Sequence, residues 1–150
     1  MPITCLEDQL RRDEQDRQFA YDDATGKTLE VGMTLAGNLT IGTGHNLTAS
    51  GLSQKIRDLI RADDIANATV ALESNFPWTM DLDPVRKGAL LNMTFNMGIK
   101  RLAEFKDFLA KMQAGNFPAA AGAMLDSRWA KQVGARATRL SIQIESGFWQ

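Results

Sequence analysis

Apolar residues recur at helical spacing in some parts of this chain and at strand spacing in others. The capping-box spacing of Thr4-Cys5-Leu6-Glu7 predicts a first helix from Thr4 to about Arg17. Apolar positions three and four residues apart predict a long helix over residues 53–74, with Ser53 as its cap. That helix is long for a chain of this size and could link two lobes.

The segment between these two helices is predicted to form a hairpin. Residues 28–35 are rich in β-branched and apolar side chains, and residues 39–42 form a second short run. Ala36-Gly37-Asn38, between the two runs, is a turn signal. We therefore expect a small sheet here.

Everything after Asp83 is predicted to be helical. Asp83-Pro84 has the pattern of an N-cap followed by proline at the first helical position, and Gly98 is the expected stop. Further helices are expected over residues 102–114, about 116–126 and about 135–147. Short helices with brief connections are typical of a compact bundle.

Together these elements predict an α+β fold within one domain. A small N-terminal lobe covers about 14–52, a linking helix about 53–74, and a helical lobe about 76–150 together with the first helix. We expect a ligand to bind in a cleft between the two lobes.

Composition agrees with one globular domain, since 44% of the 150 residues are hydrophobic and 23% are charged. No apolar run reaches the roughly 18 residues of a membrane span, so membrane insertion is not expected. The N-terminal residues lack the basic and apolar regions of a secretory signal. The lone Cys5 cannot form an internal disulfide and is interpreted as a packed small hydrophobe.

Charge is distributed unevenly along the chain. Residues 1–75 carry 7 basic and 12 acidic side chains, and residues 76–150 carry 10 basic and 6 acidic ones. A basic half beside an acidic half favours an anionic polymer as the partner, although chance and solvated helix faces explain it equally well. Nucleic acid is not expected, because no basic cluster is interleaved with aromatic residues.

Two carboxylates and a hydroxyl have the chemistry that glycosidic hydrolysis requires. Glu14 lies near the end of the first helix, and Asp23 lies at the entry to the hairpin. One group would donate a proton to the leaving oxygen while the other stays ionised, with Thr40 orienting a water. Most of the 18 acidic residues are surface charges, so spacing alone gives this pair little weight.

The glycines around Thr43 indicate tight backbone turning, because a phosphate-binding loop would need a third glycine and a lysine. His45 has no metal-ligand spacing around it, so neither a metal nor a cofactor is expected. We interpret His45 as structural, paired with Asp63 or Asp64.

Large apolar side chains in the second half are interpreted as core. They are Met93, Met97, Met112, Met124, Trp78, Trp129 and Trp149.

Taken in order, these residues resemble the T-even-type phage lysozymes of glycoside hydrolase family 24, from about Leu10 to Trp149. The motifs that carry the resemblance are Glu14 after an arginine pair, Tyr21-Asp22-Asp23, the run from Thr40 to His45, the helix from Val85 to Gly98, Ser127-Arg128-Trp129, and Arg136-Ala137 with Arg139. The hairpin between Asp23 and Thr40 is longer than in the best-known member.

The resemblance implies a lysozyme-like fold and a muramidase that cleaves the β-1,4 bond between N-acetylmuramic acid and N-acetylglucosamine in peptidoglycan. Glu14 would be the general acid, Asp23 the base or electrostatic partner, and Thr40 the residue that positions water. An inverting reaction would need carboxyl groups roughly 6.5–9.5 Å apart.

Further site residues are implied by the same resemblance. Asn46, Phe95, Asn96 and Phe108 would contact substrate, while His45, Asn92 and Arg136 would support the site.

The implied biology is that of a phage endolysin. We expect a monomer that stays in the host cytoplasm until a separate holin permeabilises the membrane, and then acts on the wall. The alternatives are a lysozyme module of a phage particle, an inactive peptidoglycan-binding protein and a lytic transglycosylase.

Overall fold

The computed structural model describes residues 5–14 and 16–150, without the side chains of Glu7, Gln9, Arg12 and Glu14. The chain divides into two compact units, Met1–Asp58 and Leu59–Gln150. The architecture is α+β, with a three-stranded antiparallel sheet and a helical second unit, as the sequence predicts for a lysozyme-like fold. No helix in the described parts of the chain is long and apolar enough to cross a membrane.

The first unit contains the sheet and two helices. In chain order its elements are α1 (Leu6–Glu14), β1 (Arg17–Asp22), β2 (Leu39–Gly42), β3 (His45–Asn46) and α2 (Leu47–Ser50). β2 is the central strand and pairs antiparallel with both neighbours. The predicted capping residue Thr4 lies outside the described residues.

Two expectations for this unit are wrong. The first helix ends at Glu14 rather than near Arg17, because Arg17 opens β1 and enters the ladder opposite Gly42. Cys5 is exposed and is not a packed core residue.

The predicted hairpin is also wrong in its first strand. The partner of residues 39–42 is β1, and residues 28–35 contribute one isolated bridge, between Thr28 and Tyr21. Beyond that bridge the chain turns, with Gly32 at a φ of 82° and Val31 fully exposed. β-Branched residues favour strands where one face of the strand can be buried, and no residue from 28 to 35 is buried.

The second unit begins within the long helix α3 (Gln54–Asn75), which forms where the sequence predicts it. The elements that follow are a 3₁₀ helix (Pro77–Asp81), α4 (Pro84–Met97), α5 (Ile99–Leu102), α6 (Lys106–Gln113), α7 (Phe117–Leu125), α8 (Arg128–Val133) and α9 (Ala135–Ser146). Asp83 caps α4 as predicted, accepting hydrogen bonds from the N–H groups of Val85 and Arg86, and Gly98 ends the helix.

The helix predicted over residues 102–114 begins later, as α6 at Lys106, and the short helix α5 before it was not predicted. Phe105 lies in the turn between them, and its ring meets Phe108 and Trp129 edge-on, each with centroids 6.4 Å apart. This aromatic packing favours a turn over continued helix. The sequence also missed α8, whose N-cap is Ser127.

The core of the second unit holds Met93, Met112 and Met124, as predicted, with Met97 partly buried against it. Trp129 is buried and Trp78 packs at the edge of the core. Trp149 is 64% exposed, so its assignment to the core is wrong. The burial of each large apolar side chain contributes about 1.5–3 kcal/mol before entropy is subtracted.

Candidate active site

Asp23 and Thr40 lie at the same end of the β1–β2 pair. Asp22 faces Leu39 in the ladder, so Asp23 follows the last paired residue of one strand and Thr40 follows the first of the other. The N–H of Asp23 also donates to the carbonyl oxygen of Asn38 over 3.0 Å. Thr40 is buried and Asp23 is exposed. The sheet therefore brings together two of the three residues predicted to be catalytic.

The carboxylate of Asp23 is held by one residue, Asn38. The backbone N–H of Asn38 donates to Oδ1 over 2.6 Å, and its side-chain amide donates to Oδ2 over 3.0 Å. These two bonds, the backbone one first, hold the pKa of Asp23 below its usual range, although the neighbouring Asp22 opposes the shift. Asp23 is thus ionised at neutral pH.

Asp22 points to the other side of the strand and is fully buried. Its Oδ2 accepts a hydrogen bond from the N–H of Ala36 over 2.8 Å, and its Oδ1 accepts from Ala24 and Gly37, each over 3.0 Å. The bond from Ala36 is the largest cause that lowers the pKa of Asp22, and burial opposes it. One carboxylate therefore holds both ends of the segment between Asp23 and Asn38.

Gly37 lies against the carboxylate of Asp23. A Cβ atom built at Gly37 would be 2.2 Å from Oδ1 of Asp23 and 2.7 Å from Cβ of Ala24. The absence of a side chain at this position lets the chain return close to Asp23.

Asn46 and His45 follow on β3, where Asn46 pairs with Thr40. The side chain of Asn46 accepts a hydrogen bond from the N–H of Ala49 and caps α2. Nε2 of His45 lies 2.6 Å from the carbonyl oxygen of Gly51, which follows α2. The pairing of His45 with Asp63 or Asp64 stays a prediction.

Glu14 is the last residue of α1, and its side chain lies outside the described residues. Its role as general acid and its separation from Asp23 stay predictions.

Asn92 and Arg136 are joined in the second unit. Nε of Arg136 donates to Oδ1 of Asn92 over 2.8 Å, and its Nη2 donates to the carbonyl oxygen of the same residue over 3.4 Å. Both residues border a groove of about 420 Å³ together with Phe95, which is 51% exposed. The sequence placed all three near a site, and the structure brings them together on α4 and α9.

Asn96 and Phe108 have structural contacts as well as their predicted role in binding. Oδ1 of Asn96 accepts a hydrogen bond from the indole N–H of Trp129 over 2.7 Å. Phe108 is 2% exposed and belongs to the core, where it also borders a cavity of about 430 Å³. Substrate contact by either residue stays a prediction.

The residues around Asp23 that sequence reasoning missed are Asp22, Gly37 and Asn38. The available signals were the adjacent acids at 22 and 23 and the turn at 36–38. Neither signal indicates that the turn folds back onto the acids, because that contact spans 15 residues.

Residues 19–142 match the family model described as phage lysozyme. The chain belongs to the phage lysozyme family. The match runs from within β1 to within α9 and includes Asp23 and Thr40. This lysozyme is a glycosidase of the muramidase type, as the sequence motifs predicted.

Curated proteins similar to this lysozyme include two from Dictyostelium discoideum and one from Enterobacteria phage T4. "Probable T4-type lysozyme 1" of Dictyostelium discoideum is 28% identical over an alignment of 174 positions, gaps included, which covers 97% of this chain and 96% of that protein. "Probable T4-type lysozyme 2" of the same organism is 25% identical, with the same coverage. The "Pre-baseplate central spike protein Gp5" of Enterobacteria phage T4 is 27% identical, and the match covers 97% of this chain but 28% of that protein.

Proposed function

We propose that this lysozyme is a phage endolysin that hydrolyses the β-1,4 bond between N-acetylmuramic acid and N-acetylglucosamine in peptidoglycan, with inversion at the anomeric carbon. The main observation that supports the proposal is the way the carboxylate of Asp23 is held. An exposed carboxylate, fixed by two hydrogen bonds and ionised at neutral pH, lies at the sheet end that also holds Thr40.

The proposed reaction uses Glu14, Asp23 and Thr40. Glu14 gives its proton to the glycosidic oxygen as the bond from that oxygen to the anomeric carbon of the muramic acid breaks. A water held by Thr40 and Asp23 attacks the opposite face of the same carbon, and its proton passes to the carboxylate of Asp23. The negative charge of Asp23 also stabilises the oxocarbenium-like transition state.

The low pKa of Asp23 indicates which of its two proposed roles, accepting a proton from water or stabilising positive charge, is the larger. A carboxylate that already accepts two hydrogen bonds is a weak base, but it keeps its charge at neutral pH. Asp23 therefore contributes chiefly by orienting water and stabilising positive charge, and it receives a proton late in the reaction.

The endolysin role is supported by the match of residues 19–142 to the phage lysozyme family. In this role the enzyme remains in the host cytoplasm until a holin opens the membrane, and it then degrades the wall as a monomer. The match to a central spike protein supports a second candidate, a lysozyme module of a phage particle.

Product analysis tests the chemistry. Purified peptidoglycan is digested, and the fragments are examined by mass spectrometry for reducing muramic acid ends. Proton NMR of the fresh product gives its anomeric configuration, and inversion predicts the α-anomer first. Anhydro-muramic acid ends would instead identify a lytic transglycosylase, which needs an acid but no water.

Glu14→Gln tests the catalytic assignment. This variant should lose lysis of permeabilised Gram-negative cells while its circular dichroism stays unchanged. Glu145→Gln, an exposed change on α9, is the matched control and should retain full activity. Full activity of the Glu14 variant would contradict the proposal.

A further inference from the structure

The segment between Asp23 and Thr40 returns to the sheet through Ala36, Gly37 and Asn38. We propose that Asn38 is a positioning residue for the reaction, which fixes the plane of the Asp23 carboxylate. In turn, the carboxylate of Asp22 fixes Asn38 by accepting hydrogen bonds from the backbone of Ala36 and Gly37, an arrangement called the clamp below. This inference rests on the role proposed above for Asp23.

The contacts between Asn38 and Asp23 form a closed pair. The backbone N–H of Asn38 donates to Oδ1 of Asp23, and the side-chain amide of Asn38 donates to Oδ2. In return, the backbone N–H of Asp23 donates to the carbonyl oxygen of Asn38. Because each carboxylate oxygen has its own donor on the same residue, rotation about the Cβ–Cγ bond would break at least one hydrogen bond. Each oxygen retains a further lone pair, which remains for water.

The second layer is the carboxylate of Asp22. It is buried and charged, and its hydrogen bonds with Ala36 and Gly37 fix the backbone immediately before Asn38. Hydrogen bonds to an ionised acceptor are about twice as strong as neutral ones. Asp22 therefore sets the position from which Asn38 reaches Asp23.

The third element is the lack of a side chain at Gly37. Any Cβ there would overlap Oδ1 of Asp23, at 2.2 Å. The overlap lies on the same oxygen that accepts the backbone hydrogen bond of Asn38, so a larger residue would displace that bond.

In the long segment between Asp23 and Thr40, the residues next to β2 therefore have a role in holding Asp23. Ala36, Gly37 and Asn38 hold Asp22 and Asp23 in place, whereas Val31 is exposed. The carboxylate of Asp22, the last residue of β1, holds both ends of the segment through Ala24, Ala36 and Gly37.

Asn38→Ala tests the inference. It removes the side-chain amide and should lower kcat by about 10- to 100-fold with little change in KM, because small misplacements of a reacting group have large effects on rate. The carboxyl carbon of Asp23, followed by NMR, should titrate at higher pH than in the parent. The acidic limb of the pH–rate profile should move in the same direction.

Asn67→Ala is the matched control. Asn67 also donates its side-chain amide to an aspartate, Asp63, but on the exposed surface of α3. Its removal should leave kcat, KM and the titration of Asp23 unchanged.

Asp22→Asn tests the second layer. An amide retains one acceptor oxygen but places N–H hydrogens against a backbone donor. The N–H groups of Ala36 and Gly37 should then exchange faster with solvent, and kcat should fall while the rest of the protein remains folded.

Asp23→Asn separates the two possible failures. If it is inactive while Asn38→Ala keeps the parent kcat and the parent titration curve of Asp23, the inference is overturned and the proposed function stands. If Asp23→Asn is fully active, the catalytic assignment of Asp23 is itself wrong.

Discussion

The indole N–H of Trp129 donates to Oδ1 of Asn96 over 2.7 Å and joins α8 to α4. Trp129 is 5% exposed, so its N–H has little access to water if Asn96 is truncated. An unsatisfied buried donor costs about 1–3 kcal/mol. We predict that Asn96→Ala lowers the free energy of unfolding by that amount, measured in urea.

The control for Asn96 is Asn75→Ala. Asn75 donates to the carbonyl oxygen of Ala71 in an exposed position at the end of α3. Its loss should change stability by less than about 0.5 kcal/mol. Equal effects of the two substitutions would show that the bond to Trp129 contributes nothing.

Arg86 joins the start of α4 to the end of α9. Its Nε donates to the carbonyl oxygen of Ile144 over 2.7 Å, its Nη2 to that of Glu145 over 3.1 Å, and its Nη1 to Oδ2 of Asp83 over 3.0 Å. The guanidinium also stacks on Phe117, 3.8 Å from the ring centroid. Lysine keeps the charge but loses the planar fork. Arg86→Lys should therefore cost about 2 kcal/mol of stability.

Thermal and urea unfolding measure the Arg86 effect. Arg101→Lys, in an exposed position on α5, gives the same change of side chain and should stay within about 0.5 kcal/mol of the parent. A parent-like Arg86→Lys would rule out a structural role for the fork.

Acid should destabilise the first unit through Asp22. Its pKa is lowered in the folded protein, so its stabilising contribution is present above the usual aspartate range and is lost as pH falls through the folded pKa. We predict that Asp22→Asn is less stable than the parent at neutral pH. The difference should stay constant down to the usual aspartate pKa of about 4 and shrink only as the pH falls below it.

Melting temperature against pH tests this prediction for Asp22. Asp107→Asn, an exposed change on α6 that removes an ion pair with Lys111, is the control and should show a smaller loss at neutral pH. A gap between Asp22→Asn and the parent that stays constant into acid would contradict the role of its charge.

Val31 should tolerate a charge. It is fully exposed in the segment that was predicted to be a strand. If the segment is a loop, Val31→Asp changes stability by less than about 0.5 kcal/mol. A loss above about 1 kcal/mol in urea unfolding would favour the strand.

Local signals predicted much of the helical unit. Asp83, Pro84 and Gly98 fix the two ends of α4 through caps that neighbours in sequence complete. Where long-range packing decides, prediction failed. The turn at residues 103–105, where the ring of Phe105 packs against Phe108 and Trp129, delays the start of α6, and no local pattern of caps or glycines indicates that turn.

The site follows the same division. Asp23 and Thr40 are recognisable because they belong to motifs with fixed neighbours. Asn38 was not recognised, since a turn asparagine is common and its function depends on contact with a residue 15 positions earlier. β1 was missed for a related reason, as its register with β2 shifts between Arg17 and Tyr21 and its sequence does not alternate.

Because of the clamp at Asp22, the geometry around Asp23 should not depend on the length of the segment between Ala24 and Ala36. Both ends are tied to one carboxylate, so we expect Asp23 to keep its place when residues near Val31 and Gly32 are added, removed or exchanged. The same position offers an attachment point for a grafted wall-binding peptide, which would retarget the enzyme to another bacterium and leave its catalytic machinery as it is.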